Sequence, residues 1–174
     1  MTRPTVFDWI DTGLLVLRDV GAGGLTVERM CREMRRTKGA FYHHFPDVES
    51  FHGTVLARWS AAQTQAPIDA AVRAADGYAP ALIGDRLREE IARLDHRLDR
   101  AVRAWALYDD TARRELKRVD AQRLAFLTQL HAAAGHEAPS DRALLEYGLF
   151  LGFQALEVAP ETAERLRIRA FGAL

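Results

Sequence analysis

Five cations, Arg29, Arg32, Arg35, Arg36 and Lys38, stand against the single acid Glu33 in the stretch from Arg29 to His44, which ends on His43 and His44. Positive charge gathered on a short segment suits a confined polyanion such as a phosphate backbone. The plain alternative is a solvated helix face. The whole chain is neutral, with 24 Lys+Arg against 24 Asp+Glu and a pI near 7.0. That balance excludes a globally basic nucleic-acid coat, an acidic disordered tail and a strong steering field. Lys38 and Lys117 are the only lysines, so arginine supplies nearly all the positive charge, a bias that, with the abundant alanine, reads as genome composition rather than function.

Other reactive side chains are poorly spaced for catalysis or metal binding. His43 and His44 are adjacent, so a helix turns them about 100° apart. His131 and His136 are five apart around Gly135, which is not a ligand pattern, and Glu49 with His52 is a lone Glu-x-x-His pair. No metal and no cofactor are expected, and no nucleophile–base constellation points to an enzyme. Cys31 is the only cysteine, so an intramolecular disulfide is excluded. Its position on an apolar helix face reads as a buried thiol.

These residues must be positioned by helices. With 174 residues, 48% of them hydrophobic and 28% charged, the chain is long enough to bury a core. Strand alternation is absent and helical period recurs. Phe7, Ile10, Leu14 and Leu17 predict a first stripe, ended by Gly21, Gly23 and Gly24. Thr26 can cap a second helix with Val27, Met30, Cys31 and Met34 on one face. A very short helix from Thr37 to His44 follows. After Pro46, Asp47 can cap a helix carrying Val48, Phe51, Val55, Trp59 and Ala62.

Pro67, Asp76-Gly77 and Pro80 punctuate an Ala-rich link to longer helices. One stripe runs from Ile83 to Trp105 with a break near Asp95 to Asp99. Another runs from Leu116 to Leu130 and stops at Gly135. Asp141 to Val158 is apolar on more than one face but interrupted by Glu146, Gln154 and Glu157, so it does not predict a membrane span. Pro160 opens a terminal helix. No basic run leads into an apolar one at the N-terminus, so a secretory leader is not expected and the cytoplasm is the expected compartment.

The expected fold class is all-α, a short three-helix bundle followed by a larger helical bundle. Within the first, a short helix, a tight turn and a slim second helix are what a helix-turn-helix needs. Phe41 and Phe45 would bury one side of the second helix. Gly39 and Ala40 would allow close approach to base edges, Arg36 and Lys38 would supply charge, and Tyr42 a phenol at phosphate height.

The stretch LTVERMCREMRRTKGAFYHHFPDVESF, Leu25 to Phe51, resembles the DNA-binding module of the TetR family of transcriptional regulators, most specifically in TKGAFYHHF. The resemblance implies a division into a DNA-binding domain, residues 1–46, and an effector-binding and dimerisation domain, residues 47–174. It implies phosphate contacts from Thr26, Thr37 and Tyr42, and base-proximal contacts from Arg36, Lys38, Gly39, Ala40 and His43. The implied protein is a ligand-responsive regulator, most often a repressor, acting as a homodimer on a palindromic operator. Its partners would be double-stranded DNA and an unknown small-molecule effector, with no membrane.

Three positions depart from the family pattern. Arg35 stands where the turn usually has Gly, Arg36 where an apolar residue is usual, and Val48 where Lys often touches phosphate. A helical small-molecule-binding or scaffold protein with a degenerate DNA module is therefore the alternative. Trp59, Trp105, Tyr108, Phe126 and Tyr147 are candidates to line an effector pocket, against plain core packing. Gly148 and Gly152 leave one helix face open to a second helix. With Leu149, Leu156, Leu166 and Phe171 they form the candidate dimer interface.

Overall fold

Thr5, Thr26, Thr37, Asp47 and Asp95 each precede a helix and accept a backbone N–H with the side chain, from Asp8, Arg29, Ala40, Ser50 and Arg97 respectively. Such caps satisfy amides that the first helical turn leaves without partners. The computed structural model describes residues 4–75 and 80–171, so the expected break at Asp76-Gly77 lies outside the described residues. The fold is all-α, and the described residues contain no strand.

The helices are α1 (Val6–Val20), α2 (Val27–Met34), α3 (Lys38–Tyr42), α4 (Val48–Ser60), α5 (Ala66–Ala75), α6 (Pro80–Ala92), α7 (His96–Trp105), α8 (Asp110–Ala133), α9 (Pro139–Ala155) and α10 (Pro160–Phe171). A 3-10 turn, Ala22–Gly24, precedes α2, and a π-helical turn, Ala61–Gln65, joins α4 to α5. The break expected near Asp95 separates α6 from α7. Gly135 stops α8 with φ +75°, and Pro160 opens α10.

Two compact units result, one formed by Met1–Ala62 with Asp95–Lys117, the other by Gln63–Leu94 with Arg118–Leu174. Both draw on separated parts of the chain. In the first unit α1 packs against α2, α4 and α7. Its centre is aromatic. Phe41 meets Trp9 edge-on at 5.5 Å between ring centroids and Phe51 at 5.4 Å, and Phe45 meets Phe51 at 5.0 Å. These separations and tilts are those that ring quadrupoles favour. Gly13 lets α1 approach α4, because a Cβ there would lie 2.8 Å from Phe51 and 2.9 Å from Val55.

The stripe expected on α1 is corrected by this packing. Trp9, Ile10, Gly13, Val16 and Leu17 are buried, while Phe7 is 66% exposed. Several neighbours cover α1, so its inward face is broader than a single stripe and centred away from Phe7. In the second unit α5 packs on α6 and α9 on α10. Ala71, Leu87 and Leu130 form a core joined by Ile68, Ile83, Ile91, Phe126 and Leu127.

Candidate nucleic-acid interface

The turn between α2 and α3 sets the geometry of the whole segment. Arg35 adopts the left-handed conformation, φ 52° and ψ 50°. Its amide donates to the carbonyl of Arg32 at 3.1 Å, and the Arg36 amide donates to that of Cys31 at 2.8 Å. These paired bonds satisfy two of the last carbonyls of α2, the usual use of glycine at a helix end. Arginine adopts the same backbone at a steric cost. The departure at Arg35 therefore leaves the turn intact.

The anchors lie where the apolar pattern places them. Val27, Met30 and Cys31 are buried in α2, and burial pushes the Cys31 thiol up from its ordinary range. Met34 is half-buried, and its sulfur accepts from Thr12 Oγ1 at 3.0 Å. Phe41 and Phe45 are 0% and 3% exposed. α3 is shorter than the expected span, Lys38–Tyr42, with His43 closing its last turn.

The candidate contact residues remain outside this core. Thr26, Thr37, Lys38, Gly39, Tyr42 and His43 are exposed, and Arg36 and Ala40 are half-buried. Thr26 and Thr37 use a hydroxyl lone pair to accept from Arg29 N at 3.2 Å and Ala40 N at 3.3 Å. Each hydroxyl keeps its own O–H, which a phosphate oxygen can accept. Capping and phosphate contact are thus compatible in one side chain.

Lys38 does not stand alone. Its Nζ donates to Glu28 Oε1 at 2.5 Å, across the turn from the first coil of α2. The bond holds the Glu28 carboxyl below its ordinary range and the Lys38 ammonium above. Arg29 pairs in turn with Glu33 at 3.4 Å.

E. coli NemR in its reduced form is similar to this chain in three dimensions, with a TM-score of 0.77 at 17% identity, covering 98% of each chain. The fold is TetR-like. No family model and no curated protein matches the sequence.

Within this TetR-like fold the candidate pocket residues divide between the two units. Trp59 and Trp105 are buried in the first, where Tyr108 is 69% exposed in the turn after α7. Phe126 packs into the core of the second unit. Tyr147, in the same unit, donates its hydroxyl to Asp120 at 2.7 Å and accepts from Arg123 at 3.1 Å. The candidate dimer face lies on α9 and α10. A Cβ at Gly148 or Gly152 would meet nothing within 4 Å, and Leu156 and Leu166 are 77% and 39% exposed. Leu149 and Phe171 are half-buried, with Arg142 set 5.5 Å from the Phe171 ring centroid.

Two arrangements escaped sequence reasoning. His52 Nε2 lies 2.8 Å from the Leu25 carbonyl, one residue before the α2 cap, and its ring meets Trp105 edge-on at 5.1 Å. It therefore ties α4 to the start of α2 and to α7. His131 is 1% exposed, with Nδ1 3.1 Å from His136 Nδ1 and Nε2 2.8 Å from Glu146. A spacing of five looks unpromising on a helix, but the turn at Gly135 folds His136 back over the end of α8. Among the described residues no three His, Cys, Asp or Glu side chains group to hold a metal, and no helix is long and apolar enough to cross a membrane.

Proposed function

We propose that this protein is a DNA-binding transcriptional regulator, a ligand-responsive repressor that acts as a homodimer on a palindromic operator. The observation that carries the reading is α3: a five-residue helix with Phe41 buried, Lys38, Gly39 and Tyr42 exposed, and exposed Thr37 and His43 at its two ends. A slim element of that kind enters a major groove, with small residues letting its backbone approach the bases. Arg36, Lys38, Gly39, Ala40 and His43 are the base-proximal set, and Thr26, Thr37 and Tyr42 the phosphate set. Residues 1–46 form the DNA-binding domain and residues 47–174 the effector and dimerisation domain. The protein is cytoplasmic and not an enzyme.

The open glycine face of α9, with Leu149, Leu156, Leu166 and Phe171, supports self-association, because exposed leucines beside side-chain-free positions suit a second helix. An effector taken up by the helices after residue 46 would act by favouring a conformer with lower affinity for DNA. A salt titration with mixed-sequence duplex DNA tests the reading. Affinity should fall linearly on a logarithmic scale, by about 0.9 per phosphate neutralised. Failure to bind duplex at low salt would overturn it.

A further inference from the structure

The Lys38–Glu28 pair lies at the junction of α2 and α3, where an acid near phosphates is unfavourable unless it has a role of its own. Both side chains are largely exposed, 60% and 64%. An exposed ion pair contributes little to stability, so packing does not account for it. Its chemistry is a cationic donor and an anionic acceptor held one hydrogen-bond length apart. In the major groove a G·C pair presents the complement: guanine O6 and N7 accept, and the cytosine N4 amine donates. The O6 and N4 atoms are themselves hydrogen-bonded, about 2.9 Å apart. A T·A pair also offers an acceptor and then a donor, thymine O4 and adenine N6, but has a methyl group where guanine has N7, so an ammonium that reaches both O6 and N7 singles out G·C.

We propose that Glu28 and Lys38 act as one reading unit for a G·C base pair in each half-site, Lys38 donating to guanine and Glu28 accepting from cytosine N4. This inference rests on the DNA-binding reading above and specifies its operator. Away from such a pair, Glu28 neutralises Lys38 and sets a carboxylate against the DNA, which lowers affinity for random sequence. Glu28 is thus a specificity-determining residue that discriminates through both attraction and repulsion.

The test uses the full chain, an operator selected from random duplex, and unrelated duplex of equal length. At the G·C position of each half-site, cytosine is replaced by 2-pyrimidinone, which lacks the N4 amine, or guanine by 7-deazaguanine, which lacks N7. The wild type should lose about tenfold in affinity with either replacement. Glu28→Ala should become indifferent to 2-pyrimidinone, stay sensitive to 7-deazaguanine, and bind unrelated duplex more tightly than the wild type. Lys38→Ala should show the reverse base sensitivity. If selected operators hold no fixed G·C pair, or 2-pyrimidinone affects the wild type and Glu28→Ala equally, the inference is overturned while DNA binding stands. If the wild type binds no duplex, the functional reading fails and the inference with it.

Discussion

The Arg36 amide donates to the Cys31 carbonyl at 2.8 Å, and this bond across the end of α2 aims α3. It forms only because Arg35 holds φ 52°. A residue with a Cβ is strained there, and glycine is not. Arg35→Gly should raise stability by up to about 1 kcal/mol, partly offset by the greater freedom of glycine in the unfolded chain. Thermal or denaturant unfolding checks this. A loss of stability would mean that the arginine side chain supports the turn.

Tyr42 and Arg36 differ in what they can offer DNA. Tyr42→Phe removes a neutral hydroxyl and should weaken all sequences equally, by about 1 kcal/mol, with the salt slope unchanged. Arg36→Ala, which removes a cation from the base-proximal set, should cost about 1–3 kcal/mol and relax preference mainly at one operator position per half-site. Affinities for the operator and single-position variants at several salt concentrations decide both.

Gly152 has open space around its absent side chain. Gly152→Phe should therefore leave the single chain folded and block self-association. Sedimentation should show a wild-type dimer at micromolar concentration and a monomeric variant of unchanged helicity. A monomeric wild type would remove α9 as the contact.

Asp95 accepts from Arg97 Nη2 at 2.7 Å and Nε at 3.0 Å, and these bonds pull its carboxyl down from 3.8 to about 2. A carboxyl with a depressed folded value contributes stability that is complete above its unfolded value and lost as pH falls through the folded one. Asp95→Asn keeps a good helix cap and removes only the charge. The side chain is 38% exposed, so solvent screening limits the effect to about 0.5–1 kcal/mol. Denaturant unfolding should show that deficit at pH 6 and its disappearance between pH 4 and pH 2. A deficit independent of pH would assign the effect to the cap.

Local chemistry was enough to read several of the helix ends. The caps at Thr26 and Asp47, the stop at Gly135, the break at Asp95 and the start at Pro160 each depend on a few consecutive residues, and each lies where the structure has it. That Arg35 occupies a turn position where glycine is usual was an expectation from the family resemblance, and its left-handed backbone is a finding of the structure. The buried sides of α2 and α3 followed from apolar residues three and four apart.

What sequence alone determined was therefore the class of fold and the order of its elements, because these follow from bonds and spacings within one turn of chain. Tertiary structure decided which face of α1 is buried, since several neighbours compete for it and Phe7 loses. It also decided the pairing of Lys38 with Glu28, ten residues away, and the contact of His52 with Leu25, twenty-seven away. No periodicity encodes such pairs. They arise where a turn or a shared core brings separate helices to within hydrogen-bond reach.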